Sequence, residues 1–203
     1  MYEHYENYDR YIPDVMLKKH RKHEEYLSDK YKGMTHQEIY QSKLGTVEDA
    51  IGLIDSGDCI VWSIHASEPR LFLRNLHRIA DRIDPKNPVE LWSCVARWGP
   101  EYPVHTDPSL KDKFHHQTFF YDPNFRKIHP SGMSSYFPIH LHNYGQELHR
   151  CKRPNVAVVC VSPMDEHGYC CVSCDLQREM ESFYSADKII YEVNPHIPHL
   201  PGD

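Results

Sequence analysis

The stretch between Ser162 and Gly168 places two acids and an imidazole side by side, at Asp165, Glu166 and His167. A carboxylate beside an imidazole can orient the ring and raise its basicity, so these residue types could perform acid–base chemistry. Side chains that are adjacent in a tight turn often diverge, however, and Asp165 could equally well accept hydrogen bonds from the backbone of its own turn. Both interpretations stay open at this point.

The loop from Ser63 to Pro69 is a second candidate site. Ser67 is expected to cap the helix that follows, with Pro69 inside the first turn of that helix. Backbone N–H groups at the start of a helix can bind a phosphate or a carboxylate, so this loop could bind an anion. The loop lacks a glycine-rich phosphate motif, so the pattern alone does not specify a ligand.

The 16 histidines and 7 cysteines of the chain do not have the spacing of a metal site. Cys170, Cys171 and Cys174 form a C-C-x-x-C run without a second pair nearby, and His140 and His142 lie two residues apart at a predicted strand end. We therefore expect no bound metal. Cys170 and Cys171 are expected to pack as inert thiols rather than act as nucleophiles. Reduced, buried thiols are also expected within apolar runs, at Cys59, Cys94 and Cys160.

Apolar runs predict the strands that would position both loops. Residues 156–161 (VAVVCV) lack the alternation of a half-exposed strand and therefore predict a strand that is covered on both faces. Open α/β sheets usually bind ligands in the loop that leaves the carboxyl end of such a strand, which here is residues 162–169. Further strands are predicted at residues 58–64, 89–96, 118–121, 136–141 and 188–193.

Helices are predicted between these strands. Thr35 and Thr46 each begin a capping-box pattern, with an acidic residue three positions later. Apolar residues at three- and four-residue steps predict a helix with one buried face over residues 72–83. Further helices are predicted at residues 123–128, 144–150 and 175–186, and a loop at residues 97–110. The alternation of elements predicts an α/β fold with a mainly parallel, open sheet covered by helices on both faces.

Size and composition limit the classes of protein that the chain can represent. With 203 residues, of which 40% are hydrophobic, the chain can bury one substantial core. A net charge of −6 argues against nucleic acid or an anionic membrane as the main partner. The first residues do not resemble a signal peptide, and no apolar run reaches the roughly 18 residues of a membrane span, so a soluble, cytoplasmic protein is expected. We divide the chain into a charged, tyrosine-rich extension at residues 1–37 and a domain at residues 38–203.

Five segments of the chain resemble the amino-terminal domain of the acetyl-CoA hydrolase/4-hydroxybutyrate CoA-transferase family. The most specific are VSPMDEHGYCC and EVNPHIPHLPGD, which occur in order and at plausible spacing. The other three are QSKLGTVEDAIGLIDSGDCIVW, the Ser67-Glu68-Pro69 turn with its leucine-rich helix, and FFYDPNFRKIHPSGMSSYFPIHL. The resemblance covers residues 38–203 and implies a CoA-transferase-like fold.

Members of the family that this chain resembles move coenzyme A between an acyl group and a carboxylate. The resemblance implies covalent catalysis, in which a glutamate carboxylate attacks the acyl-CoA thioester. That glutamate lies in the second half of family members, which implies that the nucleophile lies outside these 203 residues and that neither Glu68 nor Glu166 takes its role. The implied substrates are an acyl-CoA thioester and a small carboxylate, with no tightly bound cofactor. The implied partner is a second CoA-transferase half or subunit, within an oligomer.

The resemblance also implies which residues line the amino-terminal side of the substrate cleft. They are Ser63, His65, Ser67, Glu68 and Pro69, then Arg126 and Gly132, and finally Ser162, Asp165, His167 and Gly168. An alternative function, from a different class, is a non-catalytic binding or assembly module that retains the fold. The extension at residues 1–37 motivates this alternative, because it could dock a partner and the resemblance leaves it unexplained.

Overall fold

A six-stranded sheet in which every neighbouring pair is parallel forms the centre of the molecule. The computed structural model describes residues 25–95, 101–172 and 179–200. The strand order is β4-β3-β2-β1-β5-β6. The strands are β1 Cys59–Trp62, β2 Val89–Ser93, β3 Phe114–Thr118, β4 Ser134–Tyr136, β5 Val156–Val161 and β6 Lys188–Val193. The predicted parallel α/β sheet is therefore confirmed.

Short helices connect the strands. Residues 25–30 are helical, and the α-helices that follow are α1 His36–Lys43, α2 Val47–Gly52, α3 Arg70–Asn75, α4 Pro103–Thr106, α5 Pro123–Ile128, α6 Tyr144–Cys151 and α7 Glu179–Ser185. Single-turn and longer 3₁₀ segments occur at His65–Ser67, Leu76–Arg82, Pro108–Leu110, His129–Ser131 and Leu141–Asn143. None of the helices in the described ranges combines the length and the hydrophobicity needed to cross a membrane.

The strands with continuous apolar sequence lie where they were predicted, whereas two shorter strands do not. Strands β5 and β6 match the predicted residues, and β1 and β2 are shorter than predicted. The predictions of strands at residues 118–121 and 136–141 were wrong, because β3 and β4 end where those runs begin. Strand β3 buries the polar residue His116 between the apolar positions, so its inward face does not appear as an apolar pattern.

The helix starts agree with the capping-box predictions at Thr35 and Thr46, whose side chains accept hydrogen bonds from the backbone N–H groups of Glu38 and Asp49. The prediction that Ser67 caps the next helix was wrong. Ser67 ends a 3₁₀ turn, and α3 begins after Pro69 without a side-chain cap from its own N-cap residue.

Three other predicted segments differ in extent. The helix predicted over residues 72–83 is α-helical only to Asn75 and continues as a 3₁₀ helix, although its apolar face is buried. The predicted loop at residues 97–110 contains α4 and a 3₁₀ turn, with residues 96–100 outside the described ranges. Of the helix predicted at residues 175–186, the structure describes Glu179–Ser185.

The central strands β1 and β5 are buried on both faces. One hydrophobic cluster packs α2, α3 and the following 3₁₀ helix against one face, and includes Ile51, Ile60, Trp62, Phe72, Leu76, Leu91 and Val158. A second cluster packs α6 against the other face, and includes Val61, Trp92, Phe119, Tyr144, Leu148 and Ala157. Alternate residues of β1 and β5 thus enter opposite clusters, which is why these strands lack polar positions.

Two histidines are buried beside the first cluster. The rings of His105 and His116 stack with their centroids 4.1 Å apart, and His116 Nε2 lies 2.8 Å from the hydroxyl of Ser93. Trp62 and Phe125 enclose the pair. Burial, and secondarily the neighbouring His105, hold the pKa of His116 well below its ordinary value. The fold therefore requires His116 to be neutral.

We expect acid to destabilise the chain through His116. In the unfolded chain this residue takes up a proton near pH 6.5, whereas in the folded chain it stays neutral to lower pH, so the free energy of unfolding decreases as the pH falls below about 6.5. The decrease is up to about 1.4 kcal/mol for each pH unit. Urea unfolding at pH 7.5 and 5.5 measures this decrease, and the free energy of unfolding should change less between the two pH values for His116→Gln than for the wild type. The exposed His142, changed to Gln, is the control, and equal differences in all three proteins would contradict the assignment.

Candidate functional site

The order of the strands reverses at β1. From β1 the chain builds β2, β3 and β4 on one side and then returns to pair β5 with the other side of β1. Connections that leave the carboxyl ends of β1 and β5 therefore diverge and open a crevice between them. Ligands of open α/β sheets bind at such a switch point. The two predicted loops, residues 63–69 and 162–169, follow the carboxyl ends of these two adjacent strands.

Ser63 connects the first loop to β5. Its hydroxyl accepts a hydrogen bond from the backbone N–H of Cys160 at 3.1 Å and donates one to the carbonyl oxygen of Ser67. The side chain is buried, and both of its hydrogen bonds are to the backbone. Ser63 therefore fixes the loop to the end of β5 through two backbone hydrogen bonds.

His65 has a strained backbone conformation within the same loop. Its φ of 52° is the only positive φ of a non-glycine residue in the described part of the chain. This left-handed conformation costs an ordinary residue about 1–2 kcal/mol. Strained residues of this kind are concentrated at functional sites, where the surrounding structure holds them in place.

Glu68, near the end of this loop, places its carboxyl group inside the protein. Only 3% of Glu68 is exposed, and Ser67 and Pro69 on either side of it are buried as well. The fully buried Tyr102 adjoins it: burial first, and then the Glu68 carboxylate, raise the pKa of the Tyr102 hydroxyl. Sequence analysis did not identify Tyr102. The sequence shows only that an aromatic residue directly precedes the start of α4.

Asp165 organises the second loop. Its Oδ1 accepts hydrogen bonds from the backbone N–H groups of His167 at 2.9 Å and Tyr169 at 2.8 Å. The Tyr169 N–H is the largest of the interactions that hold the pKa of Asp165 below its usual value. Glu166 and His167 are exposed, with 3.6 Å between their nearest charged atoms. Asp165 therefore acts on its own turn, and the adjacent acid and imidazole extend into solvent.

Ser162 and His36 hold the ends of this turn. The Ser162 hydroxyl accepts from the Cys171 N–H at 2.9 Å and donates to the carbonyl oxygen of Pro163 at 3.0 Å. His36, in the first turn of α1, has its Nδ1 3.2 Å from the carbonyl oxygen of His167. Sequence analysis missed His36, because its partner lies 131 residues away.

The cysteines after the turn are less buried than predicted. Cys170 is exposed and Cys171 is half-buried, so the expectation that both are packed was wrong. Desolvation, followed by the Asp165 carboxylate, nevertheless raises the pKa of Cys170, which disfavours its nucleophilic thiolate form. In the described part of the chain, histidine, cysteine and carboxylate side chains do not come together in groups of three or more that could hold a metal ion.

Arg126 and Gly132 lie apart from the two loops. Both belong to the connection between β3 and β4, on the side of β1 away from β5. Arg126 is exposed, and its Nε donates to the carbonyl oxygen of Tyr121 at 3.0 Å. Gly132 has a φ of 77° and lies just before β4, at the amino-terminal edge of the sheet. The structure thus brings nine of the eleven predicted cleft residues together, and the ligand-binding roles of all eleven stay predictions.

Gly168 is required by two independent features of the turn. Its φ is 93°, and a Cβ added to it would collide with the imidazole ring of His36. We expect Gly168→Ala to lower the free energy of unfolding by about 2 kcal/mol or more, because the strained φ and the collision both add to the cost. In a His36→Gly background the collision is removed, because the His36 Cβ lies only 2.9 Å from the added Cβ and has to be deleted as well, and the cost should fall to about 1 kcal/mol. Urea unfolding measures both values.

The control for this experiment is Gly52→Ala, since a Cβ on Gly52 at the end of α2 would meet no atom within 4 Å. This change should be neutral or slightly stabilising. An equal cost of Gly168→Ala with and without His36 would show that the ring does not restrict the turn.

Residues 28–203 match the family model of the acetyl-CoA hydrolase/transferase N-terminal domain. The chain is 28% identical over 172 residues to succinyl-CoA:cyclohexane-1-carboxylate CoA transferase of Geobacter metallireducens, which covers 83% of this chain and 37% of that protein. It is 28% identical over 171 residues to 4-hydroxybutyrate coenzyme A transferase of Clostridium kluyveri, covering 84% of this chain and 38% of that protein.

The fold agrees with a solved structure of similar type. The crystal structure of RipA from Yersinia pestis superposes with a TM-score of 0.74 at 23% identity, over 84% of this chain and 41% of that one. The chain therefore spans less than half the length of the relatives that it matches. Since the family model covers most of the sequence, the chain belongs to the acetyl-CoA hydrolase/transferase family, as an N-terminal domain.

Proposed function

We propose that this chain forms one wall of the acyl-CoA cleft of a CoA-transferase or acyl-CoA hydrolase, and that the catalytic glutamate is supplied from outside these 203 residues. Family membership and the activities named for the two relatives support the transfer of coenzyme A between an acyl group and a carboxylate. The switch-point crevice between residues 63–69 and 162–169 is the place that we assign to the thioester end of the substrate.

The observation that carries the proposal is the burial, hydrogen bonding and orientation of the carboxyl groups at the crevice. A nucleophilic carboxylate must be ionised, accessible and aimed at the thioester carbon. Glu68 is buried, Asp165 accepts two N–H groups of its own turn, and Glu166 extends into solvent from the tip of that turn. Each of these three groups fails a requirement, which supports a nucleophile from a second half or a partner subunit, as the family resemblance implies.

The proposed reaction passes through the glutamate of that second half. Its carboxylate attacks the thioester carbon and releases the coenzyme A thiolate, leaving a mixed anhydride. The thiolate then attacks the glutamyl carbonyl, which releases the first carboxylic acid as its carboxylate and leaves a glutamyl-CoA thioester. An acceptor carboxylate repeats the two steps in reverse, or water hydrolyses the thioester. The wall formed by this chain would position the thioester and exclude water.

An apolar rim along the carboxyl edge of the sheet supports a second half that docks on this edge. Six large hydrophobic side chains that are between 47% and 69% exposed lie at or after the carboxyl ends of five strands: Leu71, Phe120, Tyr136, Leu141, Tyr169 and Leu200. They follow or end β1, β3, β4, β5 and β6. A set of exposed apolar side chains on one edge is typical of an interaction surface, where their burial would drive association.

Turnover should require both halves. Acetyl-CoA and a small carboxylate acceptor are incubated with this chain alone, and then with the chain mixed with a carboxyl-terminal half produced from a family member. We expect new acyl-CoA or free coenzyme A only in the mixture. Free coenzyme A without new thioester identifies a hydrolase, and new thioester identifies a transferase.

Activity of the isolated chain that survives Glu68→Gln and Glu166→Gln would contradict the proposal. A mixture in which the halves bind and remain inactive would instead favour an assembly module that has kept the fold and lost the chemistry.

Rim residues should determine the affinity of the two halves. Phe120→Ser and Leu141→Ser each remove an exposed apolar side chain that would be buried in the complex, and we expect each to weaken binding about tenfold or more in calorimetric titration. Leu53→Ser is the matched control, because Leu53 is similarly exposed but lies before β1, at the opposite edge of the sheet. Equal affinities for all three variants and the wild type would place the interface elsewhere.

A further inference from the structure

The segment from Glu192 to Leu200 belongs to a motif that the proposed reaction does not use. It starts near the end of β6 and continues past the carboxyl edge of the sheet. We propose that this segment is a brace that fixes the positions of both crevice loops relative to the sheet, with Glu192 and His199 as its two positioning residues. The effect of the brace on catalysis rests on the proposed function, whereas its effect on the loops does not.

Glu192 holds the first loop through helix α3. Its two carboxylate oxygens accept the backbone N–H groups of Leu71 at 3.2 Å and Phe72 at 2.9 Å. These N–H groups lie in the first turn of α3, where the helix has no side-chain cap from Pro69. A residue 120 positions away thus supplies the missing cap and fixes where the helix starts. The position of Glu68, one residue before Pro69, follows from that start.

His199 holds the second loop. Its Nε2 lies 3.3 Å from Oδ2 of Asp165, the oxygen that is not used by the turn's own N–H groups. The carbonyl oxygen of Leu200, the next residue, lies 3.6 Å from the thiol sulfur of Cys171. Asp165 is therefore bound by its turn on one oxygen and by the brace on the other.

The two ends of the brace are rigidly connected. The Asn194 N–H donates to the carbonyl oxygen of Val161 at 2.8 Å, which anchors the segment to the end of β5. The Asn194 side chain accepts the His196 N–H at 2.9 Å, and the Ile197 N–H donates to the Asn194 carbonyl at 3.0 Å. Ile197 is buried. A displacement of one crevice loop would therefore be transmitted to the other through a short, folded segment.

The ionised carboxylate of Glu192 is unfavourable for folding. Burial raises its pKa, and the N–H groups of Phe72 and Leu71 and the charge of Arg70 oppose the shift only in part. Since the folded-state pKa is raised, this group favours folding at low pH, and that contribution is lost as the pH rises through the folded-state pKa. Glu192→Gln should thus keep the fold at neutral pH while leaving one acceptor oxygen for two N–H groups.

Hydrogen exchange resolved to individual amides tests the brace in the 203-residue chain. We expect Glu192→Ala to accelerate exchange about fivefold at Leu71 and Phe72, with Glu192→Gln between this variant and the wild type. His199→Ala should accelerate exchange about threefold at His167 and Tyr169. His196→Ala, from the same segment but with an exposed side chain, is the control and should match the wild type.

Turnover of the two-half mixture provides the second measurement. Thermal denaturation first confirms that every variant is folded at the assay temperature. Glu192→Gln and His199→Ala are then expected to lower kcat about tenfold with little change in KM, because the loops are displaced after the substrate binds. Wild-type exchange rates at all four amides would overturn the brace. Unchanged kcat in both variants would overturn its effect on catalysis. Faster exchange together with an inactive wild-type mixture would retain the brace and reject the proposed function.

Discussion

The pairing of β1 with β5 is the interaction on which the rest of the structure depends. Both strands are buried on both faces, and they meet although 97 residues separate Ser63 from Cys160. This pairing reverses the strand order, opens the crevice and brings the two loops together. The hydroxyl of Ser63 connects the two strands at the point where they diverge, so the geometry of the crevice is fixed by the backbone of the sheet itself.

Elements whose burial is visible in their own sequence were predictable. Strand β5 is apolar at every position because helices cover both of its faces, and β6 follows the same pattern in part. Strand β3 was misplaced because His116 is buried through its contacts with His105 and Ser93, which lie on other elements. A tertiary partner of this kind leaves no local signal. Strand β4 has the sequence Ser-Ser-Tyr, which predicts a turn as readily as a strand.

For the candidate site, the sequence located the loops but not the function of their side chains. Ser63 and Ser162 stay candidates for ligand contact, and the structure shows that both hydroxyls also accept hydrogen bonds from backbone N–H groups at strand ends. The residues that position the loops were not identified, because their partners are distant in the sequence: His36 binds the turn 131 residues away, and Glu192 caps a helix 120 residues away. Only the folded chain shows such contacts.

The reversed strand order also has a consequence for biosynthesis. A nascent chain that has exposed β1 to β4 can assemble four neighbouring strands, but one edge of β1 has no partner until Val156–Val161 leaves the ribosome. That edge belongs to the most apolar part of the sheet, and unpaired apolar edges invite association with other chains. During the synthesis of the residues between β4 and β5, the growing polypeptide therefore carries an apolar strand edge that its own partner strand cannot yet cover.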